Sequence, residues 1–471
     1  MTWRGRFDLV VVGGGSAGLT AARLAADLGA RVALIERDRL GGDCLWTGCV
    51  PSKTLLHAAA DIHTIRRANR YGFEPSTGPV DWRAVKERVR AAIAAIEPHD
   101  SAQALARLGV EVVTGSGRFT GRRRIEAAGR RLPFHRALIA TGSRPVLPPV
   151  PGLAQAWALT TDSVWELDEL PHRLLVVGGG ASGCELGQAF ARLGSRVTLV
   201  EAERGLLPAM DPMAGDLLAR RLTAEGVRVH TGAKLRSVRP GEADLATADG
   251  AAVTVAFDAL LVATGRRPST DGLGLDAAGV RTDRRGLIAT DARLRTANSR
   301  IHAAGDVAGP MPFTHVAAVQ AADAVLGGLL GVPRRRDYRA VPYTVFTDPE
   351  IAQVGAAGSG ERTRLLRHDG VDRAVTEDAT DGFTRLVLDA RGRITGATVA
   401  GPRAGEVIVE LAHAVRAGWT PRRLAATVHP YPTYADGPWL AAFEEIRHSR
   451  NTPRARAVTR AVLRLRRWMP R

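Results

Sequence analysis

The chain contains 471 residues, 45% of them hydrophobic. It is too long for a single core, so two to four domains are expected. No apolar run is long enough to span a bilayer, Met1 begins no secretory leader pattern, and only three cysteines occur, so a cytoplasmic protein is expected. The net charge of +17 is concentrated in the nine arginines of residues 447–471. No aromatic-interleaved basic face occurs elsewhere, which argues against a nucleic-acid partner.

The first predicted element is a strand at Phe7–Val12, followed by a glycine-rich turn at residues 13–18 and a helix to residue 28. Gly13, Gly15 and Gly18 have the spacing of a dinucleotide-binding turn. Those glycines permit the tight turn, the close approach of a pyrophosphate and the packing of helix on strand. A second strand at residues 31–35 ends at Glu36, whose carboxylate is placed to accept hydrogen bonds from a ribose.

Cys44 and Cys49 follow within the segment GGDCLWTGCVPSK at residues 41–53. A close pair in a cysteine-poor chain indicates redox chemistry, with two small packing residues as the alternative. Residues 52–60 are expected to be helical. The cysteines would then straddle a loop-to-helix junction, where a helix N-terminus favours the reactive thiolate.

Residues 80–109 are predicted to be helical, with one apolar face that suits core packing. That face consists of Trp82, Val85, Val89, Ile93 and Ile96.

The dinucleotide pattern returns after a strand at residues 174–177, where Gly178, Gly180 and Gly183 open a helix through residue 193. A strand at residues 196–200 then ends at Glu201. Two such sites suggest two different dinucleotides, FAD held at one and a nicotinamide nucleotide exchanging at the other. Glu201 favours NADH because a 2′-phosphate would meet its negative charge, although Arg204 is nearby in sequence.

A turn is repeated in the two halves, ATGSRP at residues 140–145 and ATGRRP at residues 263–268, which indicates an internal duplication. An apolar strand at residues 301–306 ends in Gly305 and Asp306, placed to reach the ribityl chain or phosphate of a flavin. From residue 341, short strands at 384–388 and 394–400 and a helix at 406–417 indicate a separate α+β domain. Its boundary is expected within residues 332–342.

The C-terminal segment has a basic amphipathic pattern. Two sets of residues recur at helical spacing on different sides, the apolar set Ala455, Val458, Val462, Leu465, Trp468 and Met469 and the basic set Arg456, Arg460, Arg464 and Arg467. This pattern suits an anionic membrane surface or an acidic partner, so the protein could be peripheral to a membrane through residues 447–471. A solvated terminal helix or a disordered arm is the alternative.

Several motifs together resemble the flavoprotein disulfide reductases, the class I pyridine nucleotide-disulfide oxidoreductase family, over residues 5–445. They are the segment 41–53, the two glycine turns, AAGD at 303–306 and VFTDPE at 345–350. The resemblance implies an α/β protein with two Rossmann-type domains, for FAD and NAD(P), and a C-terminal α+β domain that forms a homodimer. We expect the FAD domain at residues 1–150 and 271–338, the NAD(P) domain at 151–270, the dimerisation domain at 339–446 and the basic tail at 447–471.

The resemblance also implies residue roles. A Cys44/Cys49 disulfide would accept electrons from the flavin, with Cys49 against the flavin as thiolate and Cys44 attacking substrate. Lys53 and Glu185 would pair near the flavin ring and stabilise negative charge there, whereas Cys184 is expected only to pack. The predicted FAD-binding residues are Gly13, Gly15, Ser16, Gly18, Glu36, Gly42, Lys53, Thr141, Gly142 and Asp306. The predicted NAD(P)-binding residues are Gly178, Gly180, Gly183, Glu201 and Gly265, and no metal-ligand set is predicted.

The chain departs from the disulfide-reducing members at HPYPTYAD, residues 429–436. Tyr431 stands where those members have a catalytic histidine supplied by the partner subunit, and Asp436 replaces the glutamate that orients it. A phenol with a pKa of about 10 donates a proton poorly near neutral pH. His429, two residues earlier, is expected to face away and to be structural.

A tyrosine in this setting is similar to the mercuric reductases, in which a metal ion is the oxidant and soft thiolates suit a soft metal. Their C-terminal cysteine pair has no counterpart here, because no cysteine follows Cys184, and no N-terminal metal-binding module is expected. The leading hypothesis is an NAD(P)H oxidoreductase that reduces a metal ion, a quinone or another acceptor needing no histidine acid. The alternatives are a lipoamide-type disulfide reductase with another proton donor, and a flavin-bound redox sensor or membrane-associated binding subunit with little turnover.

Overall fold

The computed structural model describes residues 6–75, 78–309, 311–332, 334, 337–357 and 362–468. The chain forms two compact units. The larger is built from Met1–Ala202 and Gly226–Arg336, and the smaller from Glu203–Glu225 and Asp337–Arg471. Within the described ranges, no helix has the length and apolar character needed to cross a membrane.

The larger unit begins with a nucleotide-binding fold. Its elements are β1 (Phe7–Val12), α1 (Ser16–Asp27), β2 (Val32–Glu36), α2 (Gly42–Trp46), α3 (Cys49–Arg66), α4 (Trp82–Asp100), α5 (Ala102–Arg107), β3 (Glu111–Thr114), β4 (Arg118–Gly121), β5 (Arg124–Ala127), β6 (Arg130–Ile139) and β7 (Ser143–Pro145). The sheet has the order β3-β2-β1-β6-β5-β4, in which β3, β2, β1 and β6 are parallel. Val10 and Val12 of β1 pack into one apolar core and Leu9 and Val11 into another. Both faces are therefore covered, and the strand is apolar from Leu9 to Val12.

A second nucleotide-binding fold follows. Its elements are β8 (Leu159–Thr160), β9 (Arg173–Val177), α6 (Ala181–Leu193), β10 (Arg196–Val200), β11 (Arg228–His230), β12 (Lys234–Arg239), β13 (Glu242–Ala246), β14 (Ala252–Ala256), β15 (Ala259–Val262) and β16 (Arg266–Pro268). The helix α7 (Pro212–Ala224) lies between β10 and β11 in the chain but belongs to the smaller unit. The strands β11-β10-β9-β15-β8 form a parallel sheet, and β12, β13 and β14 an antiparallel one. The repeated turns meet in space, because β16 pairs with β7 in antiparallel register.

The chain then returns to the first fold through α8 (Leu275–Ala278), β17 (Ile301–Ala303) and α9 (Thr314–Leu330). The strand β17 adds to β6 in parallel. This places the predicted segment 301–306 at the carboxyl end of the first sheet, beside the β1–α1 turn, which is where open α/β sheets bind ligands.

The smaller unit is an antiparallel sheet with helices. Its elements after α7 are β18 (Pro342–Val345), β19 (Ile351–Gly355), β20 (Arg362–Arg367), α10 (Asp372–Thr376), β21 (Phe383–Leu388), β22 (Ile394–Ala400), α11 (Ala404–Ala417), α12 (Pro421–Ala425), α13 (Asp436–Arg450) and α14 (Pro453–Trp468). The sheet order is β18-β19-β22-β21-β20. Residues Glu203–Glu225, which include α7, belong to this unit, a placement that the domain prediction did not include. Asp211, just before α7, is fully buried, and its carboxylate lies 3.0 Å from the Arg385 guanidinium.

The α/β fold class with two Rossmann-type folds and an α+β unit is confirmed. One predicted helix is divided: residues 80–109 form α4 and α5, because the Ser101 side chain accepts a hydrogen bond from the Ala104 N–H and starts a new helix there. Trp82, Val85 and Val89 are buried as predicted, but the prediction is wrong for Ile96, which is 40% exposed.

Candidate active site

The first glycine turn is shaped by the protein's own packing at two of its three glycines. A Cβ on Gly13 would collide with the Ala140 carbonyl, and one on Gly18 with the Gly13 carbonyl. A Cβ on Gly15 would meet only the Cα of Gly42, at 3.7 Å. The fold itself therefore does not require glycine at position 15. Because Gly15 has no side chain, a ligand can approach its backbone closely, as a pyrophosphate site requires.

The second glycine turn repeats this division of roles. Side chains on Gly178 and Gly183 would collide with the backbone of Ala263 and Gly178, whereas a Cβ on Gly180 would have nothing within 4 Å. Glu201, at the end of β10, accepts a hydrogen bond from the Gly179 N–H at 2.6 Å. Glu36 does the same for Gly14 at 2.6 Å in the first fold. Both folds thus hold an acid against the glycine turn, and their residues fit a dinucleotide.

A cleft of about 650 Å³ opens at the first turn. Most of the residues predicted to bind FAD line it, namely Gly13, Gly15, Ser16, Glu36, Gly42, Thr141, Gly142 and Asp306. Gly18 and Lys53 lie outside the lining, Gly18 because it packs α1 on β1. Cys44 and Cys49 line the same cleft. The structure therefore brings the predicted flavin residues and the cysteine pair to one place.

The cysteines lie on two helices. Cys44 belongs to the short α2, and Cys49 is the first residue of α3. The predicted loop-to-helix junction is wrong in its position, because the helix begins three residues before Ser52 and includes Pro51 in its first turn. Proline is tolerated there because an N–H in the first turn has no intrahelical partner. Both cysteines are free thiols in this structure.

The two thiols differ in acidity. A hydrogen bond from Cys44 lowers the pKa of Cys49 to about 6, although burial acts to raise it. Thr314 and the charge of Lys53 also lower this pKa. The Thr314 hydroxyl lies 3.4 Å from the Cys49 sulfur. The same Cys49 contact raises the pKa of Cys44 far above its usual range. Cys49 is therefore the thiolate at neutral pH, aided by its place at a helix N-terminus.

Lys53 lies one helical turn after Cys49 on α3, and its ammonium is 2.7 Å from the Glu185 carboxylate on α6. Glu185 is only 5% exposed, so the ion pair is partly withdrawn from water and its charges are weakly screened. The structure forms the Lys53–Glu185 pair that the family resemblance implied. Cys184, next along α6, is fully buried, and burial raises its pKa well above the usual range, which suits a packing residue.

A cluster that sequence reasoning missed braces the cysteine segment. The Arg266 guanidinium contacts the Asp43 carboxylate, lies 3.1 Å from Asp162 and donates to the Ser143 hydroxyl at 2.8 Å. Ser143 in turn donates to Asp306 at 2.7 Å. Burial raises the pKa of Asp43. The sequence did indicate that Arg266 lies in a functional turn, because it follows Gly265 in the repeated motif. Its carboxylate partners could not be predicted, because they are remote in sequence.

In the smaller unit, the Tyr431 hydroxyl donates a 2.6 Å hydrogen bond to Asp372 at the start of α10. Asp436 does not bond to this hydroxyl. Its carboxylate accepts from the Thr433 N–H at 3.2 Å, at the start of α13. Asp372 was missed because it lies 59 positions from Tyr431 in the chain. The bond to Asp372 and its charge raise the pKa of Tyr431, since both favour the neutral phenol.

Two other side chains of this loop, His429 and Tyr434, are held by carboxylates. His429 is 2.9 Å from the Glu410 carboxylate with its side chain 7% exposed, which fits the structural role expected for it. The buried Tyr434 donates to Glu377 at 2.7 Å. Tyr431 is different because 72% of it is exposed. Its phenol is therefore available to a partner or substrate.

Comparison with known proteins agrees with this geometry. The chain matches the model of the pyridine nucleotide-disulphide oxidoreductases over residues 7–322, and the model of their dimerisation domain over residues 341–442. It is 35% identical over 451 residues to a mercuric reductase of Staphylococcus aureus, covering 93% of this chain and 82% of the relative. It is 36% identical over 457 residues to a dihydrolipoyl dehydrogenase of Thermus scotoductus, covering 93% and 96%.

Solved structures give the same result. LpdA from Mycobacterium tuberculosis superposes with a TM-score of 0.83 at 31% identity, covering 93% of this chain and 99% of that one. The Cu(II) complex of the HOCl-induced flavoprotein disulfide reductase RclA from Escherichia coli has a TM-score of 0.80 at 28% identity, covering 91% and 98%. The chain therefore belongs to the pyridine nucleotide-disulphide oxidoreductase family, as a flavoprotein enzyme of the mercuric reductase and lipoamide dehydrogenase type that uses FAD and NAD(P)H.

Proposed function

We propose that the protein is an NAD(P)H-dependent oxidoreductase that delivers electrons from its Cys44/Cys49 dithiol to a soft metal ion such as Hg(II) or Cu(II). The observation that carries this proposal is Tyr431, which stands where disulfide-reducing members have a histidine. Its hydroxyl is bound to Asp372, and its pKa is raised. Such a phenol is a poor acid for a leaving thiolate, whereas reduction of a metal ion needs no proton at that step.

The dithiol suits a metal acceptor. Bound FAD and NAD(P)H supply the electron pair that reduces the Cys44–Cys49 disulfide to the dithiol. Cys49 then holds negative charge, stabilised by the Cys44 thiol, Thr314 and Lys53. Soft thiolates are preferred ligands of soft metal ions. Transfer of two electrons to one Hg(II), or of one electron to each of two Cu(II) ions, restores the disulfide, and the proton of the Cys44 thiol passes to solvent.

The names of two relatives support this class of acceptor. The Staphylococcus aureus relative is a mercuric reductase, and the Escherichia coli neighbour has been solved as a Cu(II) complex. The chain has no cysteine after Cys184, so metal delivery by a C-terminal cysteine pair is not part of the proposal. We infer instead that the metal ion reaches the cleft directly or bound to a small thiol.

We further propose NADH as the preferred donor, a homodimer as the working form and the cytoplasm as the compartment. Glu201 is 8% exposed and bound to the Gly179 amide, so a 2′-phosphate at this position would face a weakly screened negative charge. The match of residues 341–442 to the family's dimerisation domain supports the dimer. In that dimer, Tyr431 is proposed to serve the redox site of the other subunit. A chain with only three cysteines suits a reducing compartment.

The test is NADH oxidation by the purified FAD-loaded protein under anaerobic conditions, with Hg(II) buffered by a small thiol, Cu(II) with a Cu(I) chelator, a soluble quinone, or lipoamide. Metal-dependent NADH oxidation that exceeds lipoamide turnover is expected. It should be lost in Cys44→Ala and Cys49→Ala and kept in Cys184→Ala, the matched cysteine control. Equal metal turnover in all three variants would show that the dithiol is not the electron donor. Quinone turnover without metal turnover would show that the acceptor is a quinone and not a metal ion.

A further inference from the structure

The last helix of the chain, α14, begins immediately after α13 with a strong start signal. The Thr452 hydroxyl accepts from the Ala455 N–H at 3.3 Å, and Pro453 takes the first helical position. These are the residues expected at a helix N-terminus. The helix therefore begins independently of α13, and its 16 residues extend over about 24 Å.

No residue of α14 is buried. Its large apolar side chains all face solvent: Val458 is 64% exposed, Val462 49%, Leu463 51%, Leu465 61% and Trp468 87%. The spacing of Val458, Val462, Leu465 and Trp468 places these four on one side of the helix, since residues three, four and seven apart share a face, whereas Leu463 lies on the other side. Met469, predicted to continue this face, lies outside the described residues. The apolar stripe is thus formed but packs against nothing in its own chain among the residues described.

The opposite side of α14 is basic. Arg456, Arg460, Arg464 and Arg467 follow one another at helical spacing, and the helix contains no acidic residue. Their hydrogen bonds are local, from Arg456 to Asn451 and from Arg460 to the Arg456 carbonyl. Within the described part of the chain, no ion pair joins an arginine of α14 to a carboxylate. Its positive charge is therefore available to an external anion.

We propose that α14 binds the surface of an anionic lipid bilayer, lying in the plane of the membrane with Val458, Val462, Leu465 and Trp468 among the upper acyl chains. In this position both sides of the helix have a suitable environment at once. An apolar layer and an anionic layer lie side by side at a membrane surface, and arginines flanking the stripe reach the headgroups. The proposal is independent of which acceptor the redox site uses.

Two other occupants fit the helix less well. A nucleic acid would neutralise the arginines and leave the apolar stripe in water. A second copy of the chain would bring the arginines of two α14 helices together, at a cost in repulsion. The match to the family's dimerisation domain ends at residue 442, before α14 begins, so α14 lies outside the part of the chain that this match covers.

Sedimentation with vesicles tests the proposal on the full-length FAD-loaded protein. Phosphatidylcholine vesicles are compared with vesicles containing roughly one-third phosphatidylglycerol, an anionic lipid. We expect binding to the anionic vesicles alone, weakened by salt because the attraction is screened. Deletion of residues 452–471 should abolish binding without changing NADH oxidation.

Two substitution sets separate the basic and the apolar contributions. Arg456→Gln, Arg460→Gln and Arg464→Gln together should weaken binding about a hundredfold, since each arginine near an anionic surface contributes about fivefold. Val458→Ser, Val462→Ser and Leu465→Ser together should weaken it by more than about tenfold while the charge is kept. The control variant loses the same charge on an exposed hairpin and should bind like the parent protein. It combines Arg281→Gln, Arg284→Gln and Arg285→Gln.

Three results would overturn the proposal. The first is equal binding by the parent protein and the deletion variant. The second is equal loss of binding in the hairpin set, which would indicate an unspecific charge effect. The third is a change of oligomeric state without lipid in the apolar set, which would assign the stripe to a second copy of the chain.

Discussion

Removing the Cys44 thiol should change the acidity of Cys49 more than any other substitution in the cleft. The hydrogen bond from Cys44 is the largest influence that lowers the pKa of Cys49 to about 6. In Cys44→Ala that bond is lost, while the N-terminus of α3, Thr314 and Lys53 remain. The pKa of Cys49 should therefore rise toward the ordinary thiol value of about 8.5.

The change is large at neutral pH. A thiol with a pKa of about 6 is roughly nine-tenths ionised at pH 7, whereas a thiol with a pKa near 8.5 is ionised to a few per cent. The assay is a pH titration of thiolate absorbance in the reduced protein, repeated with FAD bound, when a thiolate beside the flavin adds long-wavelength absorbance. Because the charged form is stabilised in the folded site, the signal in the parent protein should fall only as the pH drops through about 6.

Cys184→Ala is the matched control, since it removes a buried cysteine whose thiol stays protonated. Its titration should equal that of the parent protein. If Cys44→Ala still titrates near 6, the hydrogen bond is not the cause, and the helix N-terminus with Lys53 must account for the acidity. If Cys49→Ala keeps the absorbance, the thiolate has been assigned to the wrong cysteine.

Three further substitutions probe the nucleotide site and the ion pairs. Glu201→Ala should raise kcat/KM for NADPH relative to NADH by about tenfold, since it removes a negative charge at the proposed 2′ position. Steady-state kinetics with both donors measures this ratio, and an unchanged ratio would show that another residue sets the nucleotide preference. Lys53→Gln should slow reduction of the cysteine pair and raise the pKa of Cys49. The control Lys234→Gln, at an exposed lysine, should change neither property. Stopped-flow measurement of reduction by NADH compares the two variants. Asp211→Ala, which removes the buried partner of Arg385, should lower the free energy of unfolding by about 3 kcal/mol, and a loss below about 0.5 kcal/mol in urea unfolding would contradict a buried ion pair there.

The parts of the fold that the sequence predicts are those coded by short segments. Gly13 and Gly18, or Gly178 and Gly183, lie within one turn of the strand and helix they join, so their spacing alone indicates the packing that the structure has. The family, its cofactors and its fold class followed from the order of such segments along the chain, and they are confirmed. The start of α3 was misplaced, because the helix begins at Cys49 and takes Pro51 into its first turn, where proline is tolerated.

Long-range pairings could not be predicted in this way. Asp372 reaches Tyr431 across 59 positions, and Arg266 contacts Asp43 across 223. Each partner is an ordinary charged residue whose neighbours are set by tertiary packing. The resemblance suggested Asp436 as the companion of Tyr431 by analogy of position, but in the structure its carboxylate bonds the Thr433 N–H at the start of α13. The roles of these residues in catalysis remain predictions.

The most direct test of the proposed acceptor is anaerobic reoxidation of the NADH-reduced protein by a thiol-buffered metal ion and by lipoamide, in the parent protein and in Tyr431→His. We expect rapid reoxidation of the parent protein by the metal ion and slow reoxidation by lipoamide. Reoxidation by lipoamide should become at least about tenfold faster in Tyr431→His, in which the histidine supplies general acid catalysis. Fast reoxidation of the parent protein by lipoamide, unaffected by Tyr431→His, would contradict this expectation.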